Sequence, residues 1–217
     1  MPIIPDDLID KTLAEYRVSA TPTIRSSIRT YISLLLRWNE KISLTTITDP
    51  LEILRFHFSE SMFAASAVPI RNGRLADVGS GAGFPGLPLK IMVPSLDVLL
   101  IESNAKKASF LSECIRELNL LGAEVVRRRF EDTGGRGSKF ELITARALGG
   151  YQDLIKWAQE SLAPGGRLVL WLGQDDAIRL QREPSIEWRS PIAIPNSDRR
   201  VLLVGTQNRE MFHVEHS

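Results

Sequence analysis

The sequence predicts an α/β fold: a doubly wound, mostly parallel seven-stranded sheet behind an N-terminal helical extension. Three observations predict it. Short apolar runs alternate with helix-period stretches from residue 74 to about 183, the pattern of repeated strand–helix units. The first run, Leu75-Ala76-Asp77-Val78, passes straight into Gly79-Ser80-Gly81-Ala82-Gly83-Phe84-Pro85-Gly86. The last two runs, 187–194 and 199–206, are joined only by Pro195-Asn196-Ser197-Asp198, too short a link for a parallel crossover.

The elements follow in chain order. Residues 6–18 suit a short helix, with Leu8, Ile9 and Leu13 as its apolar positions. Thr21-Pro22 is a cap followed by proline at the first helical position. From there Ile24, Ile28, Tyr31, Leu35 and Trp38 make one apolar helix face, with Trp38 as a core anchor. A polar connection, 39–46, leads to a second start signal, Asp49-Pro50. Leu51, Leu54, Phe58, Met62 and Ala65 form that helix's apolar face, while His57 and Glu60 share another face as a surface pair. Pro69 to Gly73 ends the extension, so the chain divides into 1–73, a cofactor-binding domain 74–207, and a flexible tail 208–217.

Within the second part, strands are expected at 74–79, 96–102, 123–127, 140–146 and 167–172, before the closing pair. Helices are expected at 86–92, from Ser103-Asn104 to about Asn119, at 154–162 and at 174–183. Gly122 stops the second and Pro164-Gly165-Gly166 the third.

Ligands of such sheets sit outside the C-terminal strand ends. The glycine turn at 79, 81 and 83 is spaced Gly-x-Gly-x-Gly, one residue short of the dinucleotide pattern. Glu102 falls at the end of the second strand, where a carboxylate accepts from both ribose hydroxyls. An adenosine ligand without a pyrophosphate fits both features, and S-adenosylmethionine is of that kind. The third strand end presents Phe130 and Glu131 for an adenine, and the fourth presents Arg146 for an anion or a structural ion pair. Arg127, Arg128 and Arg129, Arg136, Lys139, and Arg199 with Arg200 are candidate phosphate contacts, each equally readable as surface charge. An antiparallel finish on a parallel sheet is the Rossmann-like class I methyltransferase arrangement rather than the oxidoreductase one.

Composition narrows the classes. The chain has 217 residues, 43% apolar, 24% charged, and a formal net charge of +1. RNA binding therefore needs a local basic patch rather than a general field. A lone cysteine, Cys114, excludes an internal disulfide framework and is expected in the core. No apolar run is long enough for a membrane span, and the acidic start, Asp6-Asp7, does not read as a secretory leader. A cytoplasmic monomer with no membrane partner and no metal site is the expectation.

With these residues in view, the chain resembles the bacterial 16S rRNA (guanine-N7) methyltransferase G family, also called glucose-inhibited division protein B. Trp38-Asn39, Leu44-Thr45, Asp49-Pro50, His57 and Ser61 carry the resemblance, with the run Asp77 to Pro88, Phe130-Glu131 and Thr144-Ala145-Arg146-Ala147. It implies an S-adenosylmethionine-dependent enzyme acting on N7 of one guanine in the decoding region of 16S rRNA, free or in a small-subunit precursor. It places cofactor contacts at Gly79, Phe84, Phe130, Glu131 and Arg146, beside Gly81, Gly83 and Glu102 of the glycine–carboxylate reading. RNA contacts are expected at His57, Glu60, Arg199 and Arg200. Glu60 replaces a usual Asp, and Leu172 stands where many members carry Lys; if that lysine touches RNA in other members, this chain does without it or uses Lys156 or Arg179. N7 carries no proton, so no general base is assigned; Glu60 or Glu131 is placed to offset the charge that develops on the base. The rival readings are a nicotinamide oxidoreductase, a non-catalytic RNA-binding module, and a methyltransferase with another acceptor.

Overall fold

A computed structural model describes residues 4–133 and 139–207. The expected tail at 208–217 and Arg136 in the 134–137 loop lie outside the described residues. The chain opens with α1 (Asp6–Glu15), α2 (Pro22–Asn39) and α3 (Pro50–Ile53), followed by a π-helical stretch, Leu54–Ser59, and α4 (Glu60–Ala67). Both predicted caps form: Thr21 accepts from the Ile24 amide and Asp49 from that of Glu52. The helix starting at Asp49-Pro50 was expected to be continuous α. Its π stretch instead inserts one residue per turn, and so rotates everything that follows.

Then come β1 (Gly73–Val78), α5 (Gly86–Met92), β2 (Leu96–Ile101), α6 (Ala105–Glu117), β3 (Ala123–Val126), β4 (Phe140–Arg146), α7 (Tyr151–Ser161), β5 (Leu162–Gly173), α8 (Gln174–Leu180), β6 (Ile186–Trp188), β7 (Ile192–Ala193) and β8 (Arg200–Gln207). The sheet order is β3-β2-β1-β4-β5-β8-β6, with β7 also on β8. Strands β1 to β5 are mutually parallel, and β8 is antiparallel to β5, β6 and β7.

Two differences from the sequence reading have local causes. The expected strand 187–194 is two short strands on one edge of β8. Trp188 pairs with Gly205 but Ile192 with Leu202, so the edge carries one extra residue, and Pro191 there has no amide to donate. Strand β5 starts at Leu162, before Pro164-Gly165-Gly166, because Phe140 pairs with Leu162 and Leu142 with Arg167. The proline–glycine turn is thus a bulge inside the strand, not a break before it.

Period-two alternation sorts the strands onto two cores. Leu75, Val98, Leu142 and Leu202 face α1 to α6, while Ala76, Val78, Ile143 and Leu170 face α7 and α8. The helical extension therefore shares one core with the sheet. Cys114 lies fully buried in it, and burial pushes its thiol far above the ordinary range. No helix among the described residues is long and apolar enough to cross a membrane.

The extension meets the glycine turn at Tyr31. Its buried hydroxyl donates to the Ala82 carbonyl at 2.6 Å. Gly83, at φ +85°, leaves no room there: an added Cβ would fall 2.1 Å from the Tyr31 oxygen. Gly83→Ala is expected to cost more than about 2 kcal/mol from backbone strain and overlap together. In thermal melts that is a loss of about 4 °C or more for a chain of this size, and an unchanged melting temperature would refute the contact.

Candidate active site

The strand order reverses between β1 and β4, which is where doubly wound sheets place their crevice. A cleft of about 270 Å³ lies there, lined by Gly79, Glu102, Phe130, Glu131, Leu148 and Gly149 among others. Glu102 follows β2 directly and is 7% exposed. Its Oε2 accepts from the Gly81 amide at 2.9 Å and its Oε1 from the Asn104 amide at 2.7 Å. The carboxylate thus ties the glycine turn to the start of α6, and each oxygen retains a lone pair for a hydroxyl. Phe130 sits in a 3-10 turn, Phe130–Thr133, edge-on to Trp157 at 5.9 Å. It is a core aromatic and a cleft wall at once. Arg128 and Arg129 stand exposed on the same rim.

Four predicted residues lie elsewhere. Gly81 turns the backbone at φ +57° and delivers its amide to Glu102. Gly83 faces Tyr31 rather than the cleft. The Phe84 ring stacks between Tyr31 (5.3 Å) and His57 (4.8 Å) and is packed edge-on by Phe58. Arg146 lines a second cleft on the other side of the β4 end.

His57 does not pair with Glu60, as the helical spacing suggested. Its Nε2 lies 2.8 Å from Thr45 Oγ1. Thr45 in turn is held by Asn39, whose Oδ1 accepts from the Leu44 and Thr45 amides and whose amide donates to the Thr45 carbonyl. Burial, then the charge of Arg146, pushes the imidazole down to about 4, so it is neutral at pH 7. Trp38, expected in the core, is partly buried, with its indole N–H donating to Glu113 at 3.0 Å.

Glu60 is the departure of greatest consequence. Read as a surface residue, it is 1% exposed. Its Oε2 lies 3.3 Å from Arg146 Nη2, which also donates to the Phe56 carbonyl at 2.7 Å. Its Oε1 lies 2.8 Å from Arg200 Nη2, without hydrogen-bond alignment. Arg200 also rests 5.1 Å over the Phe56 ring, whereas Arg199 is exposed. Burial wins on both partners: it raises the Glu60 carboxyl despite the two arginines and lowers Arg146 despite Glu60. Such a cluster is a poor stabiliser, and it lies beside the crevice.

The second cleft, about 300 Å³, is lined by Glu60, Arg146, Tyr151, Leu172, Ile194 and Arg200 among others. The wall between the two clefts is the end of β4. Arg146 and Ala147 face the second, Leu148 and Gly149 the first, and Ala147 at φ 52° makes the turn between them. Leu172 is buried here, while Arg179, its proposed stand-in, is exposed and pairs with Asp176 at the cleft's edge.

Comparison with known proteins accords with this geometry. The family described as rRNA small subunit methyltransferase G matches residues 24–203. The chain belongs to that family. A ribosomal RNA small subunit methyltransferase G from Chloroflexus aggregans is 32% identical over 92% of this chain and 89% of its own length. One from Desulfitobacterium hafniense is 42% identical over 63% of this chain and 57% of its own. Among solved structures, the ribosomal protein L11 methylase of Lactobacillus delbrueckii superposes with a TM-score of 0.58 at 16% identity, over 71% of this chain and 80% of that one. The glycopeptide N-methyltransferase MtfA complexed with sinefungin gives 0.60 at 12%, over 70% and 87%. Both likenesses are of fold, that of class I methyltransferases. The family assignment sets aside the oxidoreductase reading.

Two buried groups give opposite pH dependences. His57 titrates near 6.5 unfolded and about 4 folded, so between these values the unfolded chain binds the extra proton. Its contribution to stability therefore falls as pH drops from 6.5 to 4. Asp77 accepts from Thr144 Oγ1 at 2.8 Å and the Gly86 amide at 3.2 Å, yet burial raises it from 3.8 to about 6. Its contribution is full below 3.8 and is lost as pH rises through 6. Urea melts between pH 4 and 7 should show stability rising more steeply with pH in Asp77→Asn than in the parent, and less steeply in His57→Phe. Each change should amount to about 1–2 kcal/mol across the range, and equal slopes would contradict the assignments.

Proposed function

We propose that this chain transfers a methyl group from S-adenosylmethionine to N7 of a guanine in 16S rRNA. One observation carries the reading: Glu102 bonds to the glycine turn at the strand-order reversal, in a member of an rRNA methyltransferase family. Glu102 holds the ribose with its remaining lone pairs. Phe130 walls the adenine, the backbone at Phe130–Glu131 reads its edge, and Gly79 lets the donor approach the end of β1. Gly81 and Gly83 act by shaping the turn, and Phe84 by fixing its far side against Tyr31 and His57. Arg146, the remaining predicted cofactor contact, belongs to the acceptor side, because it lines the second cleft.

When bound, the cofactor supplies an activated methyl on a sulfonium centre. What the chain must do is align the acceptor nitrogen with it and exclude water. N7 has a free lone pair and no proton, so no side chain needs to act as base. His57 is no candidate in any case: its Nε2 is engaged by Thr45 and its Nδ1 is buried. The Glu60 carboxylate, ion-paired beside the wall between the clefts, offsets the charge that builds on the base. Arg128, Arg129 and Arg199 supply exposed cations for the RNA backbone. The RNA is met free or in a small-subunit precursor, in the cytoplasm, by a monomer.

The deciding experiment is mass mapping of methylated guanine in 16S rRNA from cells with and without this chain, where an unchanged map would overturn the reading. In calorimetry with the purified protein, Glu102→Ala is expected to weaken S-adenosylmethionine binding by about 10- to 100-fold, the loss of one or two charge-assisted hydrogen bonds. Binding of equal strength would remove Glu102 from the ribose.

A further inference from the structure

We infer that the second cleft is the pocket for the acceptor base, and that Glu60 reads the Watson–Crick edge of guanine there. The inference rests on the proposed function and deepens it. An enzyme that modifies a base takes it out of the stack and reads it by its edges and faces. If N7 is to stay open to the methyl donor, the groups left for recognition are O6, N1–H and the N2 amino group. They ask for one donor beside one acceptor.

The second cleft holds that pair. Glu60 is 1% exposed, and its Oε1 has no aligned hydrogen bond, although Arg200 Nη2 lies 2.8 Å away. Arg146 Nη1 is buried with no hydrogen-bond partner among the described residues, while its Nη2 is occupied by Phe56 and Glu60. Glu60 Oε1, ion-paired but without an aligned hydrogen bond, and the unpartnered Arg146 Nη1 thus belong to two residues that line one cavity. Guanine fills both, with N1–H and N2–H on the carboxylate and O6 on the guanidinium. Adenine presents the reverse, a donor at N6 and an acceptor at N1, and would leave both groups unpaired. Leu172 and Ile194, both almost fully buried, with half-buried Tyr151, give the flat ring apolar walls. The cleft shares its wall with the cofactor cleft through Arg146-Ala147-Leu148-Gly149, so an occupant sits next to the donor site without entering it.

Calorimetric titration of the protein loaded with S-adenosylhomocysteine tests this, using guanosine, inosine and adenosine 5′-monophosphates. Inosine lacks only the N2 amino group. The parent protein is expected to bind the guanosine nucleotide at least about ten-fold more tightly than either of the others. Glu60→Gln is expected to reduce that preference to within about two-fold and leave affinity for S-adenosylhomocysteine unchanged. A parent protein that does not prefer guanosine, or a Glu60→Gln protein that keeps the whole preference, would overturn the pocket. Gly173→Trp provides a variant that leaves the charge cluster intact. Gly173 is exposed at the cleft, with ordinary φ of −71° and only the Arg199 carbonyl, at 3.9 Å, near an added Cβ. The indole should fill the mouth and abolish nucleotide binding, and guanosine binding of parental strength in that variant would place the base elsewhere. Absence of S-adenosylhomocysteine binding would instead refute the proposed cofactor, and the same three titrations on the unloaded protein would still decide the pocket.

Discussion

The contact between Tyr31 and the glycine turn is the constraint on which the site depends. A buried phenol donates to the Ala82 carbonyl, and the next residue, Gly83, has no volume left for a side chain. The turn after β1 is thereby placed by α2 as much as by its own strand. Phe84 extends the junction, stacked between Tyr31 and His57. Behind it the connection from Asn39 to Thr45 holds His57 by a chain of hydrogen bonds. An extension that begins as a separate-looking run of helices fixes the far side of the glycine turn.

Glu60 shows how a local irregularity is turned to use. A carboxylate with 1% exposure persists only with compensating charge, and here two guanidiniums from the strands flanking β5 converge on it, Arg146 from β4 and Arg200 from β8. The π-helical stretch just before it changes the angular position of everything downstream, and Glu60 stands apart from His57, in the second cleft. Burial raises the Glu60 carboxyl and lowers Arg146 despite their pairing.

Much of this was legible in the residues. The helix caps, the strand–glycine turn–helix unit, the carboxylate one strand over and the antiparallel finish all depend on neighbours within a few positions, so periodicity and turn chemistry report them directly. Phe130 and Glu102 were placed at strand ends by the same logic and do line the cleft. The readings that failed involve partners far along the chain. His57 and Glu60 are three apart in sequence, yet the partners they take are Thr45 and Phe84 for one, Arg146 and Arg200 for the other. A signal was present in hindsight: an arginine ending an apolar strand needs an anion, and Glu60 was available.

By itself the sequence determined the order of elements, the family and the carboxylate that faces the glycine turn, because these follow from local hydrogen bonding, side-chain period and short motifs. Only the tertiary structure decided which residues stand in which cleft. Gly83 and Phe84 went to the helical extension, and Arg146 to the second cleft, because close packing and the balance of buried charge are settled between segments some ninety residues apart, as with Phe56 and Arg146.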